Sequence, residues 1–211
     1  MTNACDTEEL FRNVVHNAKF LYSSFYTFTN TDVMDLIEKH GCPLKTERGG
    51  RVFPVSDKSS DVIHALTVAL RELGVEVELH EEVSGVLAED GHVSGVRLKR
   101  GLKVVPADAV IVTTGGLSYP STGSTGDGYR FATELGHTIT ELSPALVPFE
   151  AKEAVCKDLQ GLSLRNISVQ IRNGKKVLYE EFGEMLFTHF GVSGPVLLSA
   201  SSYVASTLKK G

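Results

Sequence analysis

The chain has 211 residues, 42% hydrophobic and 22% charged, with 21 basic side chains against 26 acidic and a net charge of −5. A domain usually runs ~100–200 residues, so this length holds one large domain or one domain with an insertion. The acidic balance argues against a nucleic-acid or anionic-membrane binder, and the longest apolar runs, 109–112 and 195–198, are far short of a membrane span.

From the N-terminus, residues 7–28 read as a helix, with Thr7 as its cap and an apolar stripe of Leu10, Phe11, Val14, Val15, Ala18 and Leu21. A second helix spans 31–40, capped by Asn30 or Thr31 and stopped by Gly41. A short extended piece, a turn at Gly49-Gly50 and the segment Arg51-Val-Phe-Pro54 follow. Ser59 or Ser60 opens a third helix, which Gly74 ends. Val75 to Leu79 alternates apolar with acidic residues, the pattern of a half-buried strand.

The middle reads as a three-strand meander: Val83–Ala88, His92–Leu98 and Leu102–Val105, with Asp90-Gly91 as a hairpin turn. Ala109 to Thr113 is a continuous apolar run ending at glycines, which suits a strand covered on both faces, as in a parallel sheet. A helix is expected from about Asp127 to Leu135. Residues 143–148 form a linker, 162–190 read as strands turning at Asn173-Gly174, and another helix starts within 194–206.

The N-terminus lacks the basic and apolar stretches of a secretory signal. Cys5, Cys42 and Cys156 are far apart and odd in number, so neither a disulfide framework nor a zinc cage is expected, and no metal site is assigned. The default is a cytoplasmic protein.

The glycine-rich stretch from Thr113 to Tyr129 is the most informative segment. Gly115 and Gly116 let the backbone approach a ligand, and Ser118, Ser121, Thr122, Ser124 and Thr125 add hydroxyls. The helix beginning near Asp127 offers N–H groups to an anion. The other reading is a long surface loop with ordinary turn glycines. It is neither a nucleoside-triphosphate loop, since no lysine follows the glycines, nor a dinucleotide fingerprint, since Phe131 stands where a third glycine belongs. Arg48 and Arg51 beside glycines read either as an anion grip or as solvated turn residues. His189 with Thr188 and Ser193 lacks an acidic partner at fixed spacing, so no triad is assigned and the catalytic residues stay open.

Four stretches, Gly50–Ser56, Thr114–Tyr129, Pro144–Pro148 and Phe187–Pro195, resemble in order and spacing the aminoacetone oxidase and BaiN-like (YhiN) flavoproteins, described as NAD(P)/FAD-dependent oxidoreductases. The Thr125–Gly128 pattern also resembles the wider class that includes the fumarate reductase flavoprotein subunit. The resemblance implies an α/β fold. A partial FAD-binding domain of the two-dinucleotide-binding, glutathione-reductase-like type would occupy residues 1–146, with a β-meander. The start of a β-barrel-like insertion would occupy 147–211.

The resemblance also implies FAD as cofactor, with NAD(P)H as its partner. It places Val83 near the adenine and Thr113, Thr114, Gly115 and Gly116 against the cofactor. Ser118, Tyr119, Thr122, Gly123, Gly126, Asp127 and Gly128 fall on the flavin side, with Thr2, Asn3, Arg51, Phe53 and Pro54 completing the set. Family members begin with a GxGxxG loop and an Arg-Cys-Asn-Val-Thr-Asn stretch, whose end Met1-Thr2-Asn3 resembles. A further flavin segment follows the insertion.

The resemblance thus implies an internal fragment of an oxidoreductase that transfers hydride through flavin to an unassigned small-molecule substrate. Such a fragment would be inactive or bind FAD only weakly as an isolated chain, and it would form a homodimer through exposed strand edges. Two other readings stay open: a non-catalytic structural or oligomerising module, and a domain that binds a phosphorylated ligand at the Ser/Thr/Gly loop.

Overall fold

The computed structural model describes residues 1–208. The chain divides into two compact units, one made of Met1–Glu72 and Leu142–Gly211, the other of Leu73–Glu141. This division differs from the expected 1–146 and 147–211, because the chain changes unit after Glu72 and again after Glu141. The last three residues of the expected insertion lie outside the described residues.

In the first unit, β1 (Thr2–Asn3) is followed by α1 (Thr7–Arg12), α2 (Tyr22–Thr27) and α3 (Asn30–Lys39). The single helix expected over 7–28 is therefore broken. Asn17 takes a left-handed conformation at φ 54°, and a short 3-10 turn, Ala18–Leu21, precedes α2. Asn13, Val14, Val15 and Asn17 explain the break, since β-branched and turn-forming residues weaken a helix where no buried face holds it. The cap of α1 is Asp6 rather than Thr7; its side chain accepts from the Glu9 N–H at 2.7 Å. Thr29 caps α3 one residue earlier than expected, in a reciprocal box with Asp32.

Next come β2 (Leu44–Thr46), β3 (Arg51–Pro54) and α4 (Ser59–Glu72). The first three strands form an antiparallel sheet in the order β1-β3-β2. Ile37 of α3, Cys42 and Ala65 of α4 form a buried cluster, with Leu44 and Val62 packed against it. Cys42 and Cys156 are buried fillers, as the residue type favours.

In the second unit the expected strand after α4 does not form. Val75–Leu79 is exposed throughout and forms no strand. A half-buried strand needs a neighbour to pair with and a core to face, and this segment has neither among the described residues. The meander follows as expected: β4 (Val83–Glu89), β5 (His92–Leu98) and β6 (Val104–Pro106), in that order and antiparallel. Asp90 (φ 50°) and Gly91 (φ 79°) both take the left-handed conformation that a two-residue hairpin turn requires. Ala109–Thr113 does not form its expected strand either, and Ile111 is 88% exposed. A strand in a parallel sheet exists only by hydrogen bonding to its neighbours, and no described strand pairs with this run. After the glycine loop comes α5 (Asp127–Glu134).

The chain then returns to the first unit with β7 (Phe149–Glu150), α6 (Val155–Asp158), β8 (Ser163–Asn173), β9 (Lys176–Thr188), β10 (Gly191–Ser193) and α7 (Pro195–Leu208). The four strands form an antiparallel sheet in the order β7-β10-β9-β8. The long β8–β9 hairpin turns at Gly174-Lys175, one residue past the expected Asn173-Gly174, because Asn173 ends β8 paired with Lys176 and Gly174 alone takes the positive φ, 58°. α7 carries the largest group of buried residues: Val196, Leu197, Ala200, Ser201 and Val204. All three sheets are antiparallel, and the class is α/β. No helix among the described residues is long and apolar enough to cross a membrane.

Candidate functional site

The candidate residues fall in two groups, one in each unit. In the second unit the glycine loop folds back on the start of α5. A Cβ on Gly126 (φ 84°) would stand 2.7 Å from Leu117 Cδ2, and one on Gly128 would meet Thr114 Oγ1 at 3.0 Å. One on Gly115 (φ 73°) would meet Ser124 Oγ at 2.9 Å, and one on Gly116 would meet Tyr129 Oη at 3.3 Å. These glycines let the loop close on itself. Gly123 (φ 103°) instead faces open space, so a ligand can approach the backbone there. Pro120–Thr122 forms a 3-10 turn capped by Tyr119, and Thr122 Oγ1 donates to the Tyr119 carbonyl at 2.8 Å. Ser118 lies just before that turn.

The loop is fixed by charge. Asp127 Oδ2 accepts from Thr125 Oγ1 at 2.7 Å, and Arg130 reaches Asp127 at 2.9 Å and Glu134 at 3.1 Å. Arg130 also donates to the Ser84 carbonyl at 2.7 Å, tying α5 to β4. The Thr125 hydroxyl, and beside it the Arg130 guanidinium, hold the Asp127 carboxyl below the usual carboxylate range. A lowered folded value means that Asp127 contributes stability above about pH 4 and loses it as pH falls through the folded value. Asp127→Asn is therefore expected to flatten the acid limb of the stability curve. Urea midpoints recorded from neutral to strongly acidic pH check this; parallel curves for the two proteins would refute it.

Val83 and Thr114 are brought together. Both line a hollow of about 180 Å³ with Val86, Val96, Val110, Ile111, Val112 and Phe131. Its walls are apolar, and the Thr114 hydroxyl is the polar side-chain group on it. Thr113 precedes Thr114 and does not line the hollow.

In the first unit, Thr2 pairs with Val52 and Asn3 with Arg51 across β1 and β3. Asn3 donates from Nδ2 to the Gly49 carbonyl at 2.9 Å and accepts from the Cys5 N–H at 3.0 Å. Thr2 lines a hollow of about 200 Å³ with Leu10, Phe25, Phe28, Thr29 and Asn30. The Arg51 guanidinium lies 5.8 Å from the Phe53 ring centre, and Pro54 is buried in the sheet.

Sequence reasoning missed Asn30, which is buried and donates to the carbonyls of Asn3 (2.6 Å) and Cys5 (2.8 Å), clamping β1 to α3. It also missed Phe131 and Arg130, although Asp127, Arg130 and Glu134 stand at helical spacing. The His189 segment is a tight connection. Thr188 Oγ1 accepts from the Gly191 N–H at 3.1 Å, and His189 meets Phe190 edge-on at 4.9 Å. Among the described residues no group of His, Cys, Asp or Glu could hold a metal ion.

The second unit's residues match the parts of FAD unequally. The apolar hollow suits a flat ring system, and the hydroxyls with the open face at Gly123 suit a ribityl or ribose chain. The diphosphate finds less. Segment 113–134 contains one basic residue, Arg130, and it is taken by Asp127 and Glu134. Asp127 already places a negative charge at the positive end of α5, which disfavours a second anion there.

The chain is an α/β protein in which a hydroxyl-rich glycine loop leads into a helix beside an apolar hollow. Residues 1–203 match the family described as HI0933-like protein Rossmann domain, and the chain belongs to it: an FAD-binding oxidoreductase family. Similar curated proteins include a ribosomal RNA dihydrouridine synthase of Escherichia coli (strain K12), 29% identical over 89% of this chain and 45% of that protein. A 3-dehydro-bile acid delta(4,6)-reductase of Clostridium scindens is 33% identical over 78% of this chain and 39% of its own length. A ribosomal RNA dihydrouridine synthase of Haemophilus influenzae is 30% identical over 89% of this chain and 46% of its own length. The chain spans less than half the length of these curated relatives.

Proposed function

We propose that this chain supplies part of the FAD site of an oxidoreductase that reduces a carbon–carbon double bond conjugated to a carbonyl, with NAD(P)H as electron donor. The observation that carries this reading is the family match over residues 1–203. The relatives' names narrow it, since a dihydrouridine synthase and a delta(4,6)-reductase both saturate such a bond. Of the two branches that the motifs resemble, these names favour the BaiN-like branch over amine oxidation. The net charge of −5 supports a small-molecule substrate over RNA, whose binding draws on basic side chains.

Bound FAD supplies the hydride chemistry. The chain's own residues bind and orient. The hollow at Val83 and Thr114 holds a ring, the loop from Gly115 to Gly128 brings backbone and hydroxyls close, and Asp127 with Arg130 keeps that loop in shape. Thr2, Asn3, Arg51, Phe53 and Pro54, all in the first unit, are the residues of that unit given to the cofactor in this reading.

The purified chain titrated with FAD tests it. Weak binding is expected, seen as a shift of the flavin absorption bands, because the diphosphate lacks a cationic partner here. With excess FAD under anaerobic conditions, NADPH or NADH should bleach the flavin and an unsaturated ketone should restore its colour. No spectral change with FAD, or bleaching by aminoacetone alone, would overturn the reading.

A further inference from the structure

We propose that a hollow of about 330 Å³ between the start of β3 and the middle of β9 is a subsite for the carboxylate of a small unsaturated acid. The inference rests on the reading above, whose substrate class it narrows. Arg48, Arg51, Glu181, Phe182, Glu184 and Val196 are among the residues lining it.

Arg48 forms no ion pair among the described residues. Arg51 is held loosely: its guanidinium reaches Glu47 only at 3.5 Å and the Arg48 carbonyl at 3.4 Å, and its side chain is 61% exposed. Good charge-assisted bonds are shorter, ~2.7–2.9 Å, so donors on both guanidinium groups remain available. A guanidinium is a planar fork whose spacing matches the two oxygens of a carboxylate.

The rest of the lining selects among anions. Phe182, 64% exposed, offers apolar surface to a hydrocarbon body, and Val196, itself buried, backs the hollow. Glu181 is engaged by the Tyr179 hydroxyl, while Glu184 makes no ion pair. Two arginines against two glutamates leave the lining without net charge. A monoanion can take the arginine side, whereas a phosphate dianion or a phosphate chain meets both glutamates.

The test uses the full chain without flavin and three probes: cinnamate, neutral cinnamamide and dianionic phenyl phosphate. Binding is followed by NMR titration of the backbone amides. Cinnamate is expected to shift the amides of Glu184 and Val196 and to bind roughly 5- to 10-fold tighter than cinnamamide. Arg48→Gln changes an exposed turn whose backbone contacts persist, and it should erase most of that preference. Glu184→Gln should narrow the gap between cinnamate and phenyl phosphate. Equal affinity for acid and amide, an unchanged preference in Arg48→Gln, or tightest binding of phenyl phosphate would overturn the subsite. FAD titration of the same sample reads the parent proposal separately, since cinnamate binding needs no flavin.

Discussion

Gly191→Ala is expected to lower the thermal midpoint by roughly 6–12 °C, from a destabilisation of about 3 kcal/mol. Gly191 begins β10 at φ 158°, and an added Cβ would collide with the Phe149 carbonyl oxygen. It would also stand 2.7 Å from the Ala151 nitrogen and 3.0 Å from Glu150 Cα. All three are backbone atoms on or beside β7, so no side-chain rotation relieves the clash. Gly191 pairs with Glu150 on one side and Thr188 on the other, so a shift toward either strand loses register with the other. Gly161→Ala is the control. It also has a left-handed φ, 88°, but nothing lies within 4 Å of the added carbon. It should cost only the backbone strain, about 1 kcal/mol. Thermal and urea unfolding of both variants check the pair; similar midpoints would show that the crowding at Gly191 is relieved at no cost.

The contrast between these two glycines parallels what the sequence made legible. Turns encode themselves locally: Asp90-Gly91 and Gly174 specify their hairpins through backbone conformations that few residues adopt, although the second turn falls at Gly174-Lys175 rather than Asn173-Gly174. Helices α3 and α4 are legible for a similar reason, since their apolar spacing lies within a few residues, although the cap of α3 falls at Thr29 rather than at Asn30 or Thr31. Strands need a neighbour that sequence periodicity does not show. Ala109–Val112 has the composition of a buried strand, yet the absence of a pairing strand among the described residues leaves Ile111 in solvent.

The site follows the same division. The Gly115–Gly128 loop is local and readable, while the Asp127-Arg130-Glu134 ladder is equally local, yet sequence reasoning missed it although its helical spacing stands in the sequence. The gathering of Val83 with Thr114, the clamp of Asn30 on β1 and the hollow at Arg48 each join residues 25 or more positions apart in sequence. Chemistry-bearing residue types can be picked from sequence, but which of them meet is decided by packing.

Phe131→Ala is expected to unfold most of the second unit while the first stays folded. Phe131 is 3% exposed, and beside Leu98 it is the other large apolar side chain buried below a tenth in Leu73–Glu141. A unit this small holds on the order of 5 kcal/mol, and a buried Phe→Ala change costs about 3–5 kcal/mol through lost transfer energy and the cavity left behind. Phe131 also backs the hollow at Val83 and Thr114, and the Arg130 guanidinium stacks on it at 4.5 Å. Losing the ring therefore loosens the hollow and the arginine that fixes the glycine loop. Hydrogen exchange should show protection lost across β4, β5, β6 and α5 and retained in β8, β9 and α7. FAD-induced absorption changes should vanish in the same variant if the second unit carries the ring-binding contacts. Retained FAD binding with an unfolded second unit would move the cofactor's contacts to Thr2, Asn3 and the Arg51–Pro54 strand. Retained protection in β4 and β5 would instead mean that Leu98 and the meander's own hydrogen bonds hold the unit without Phe131.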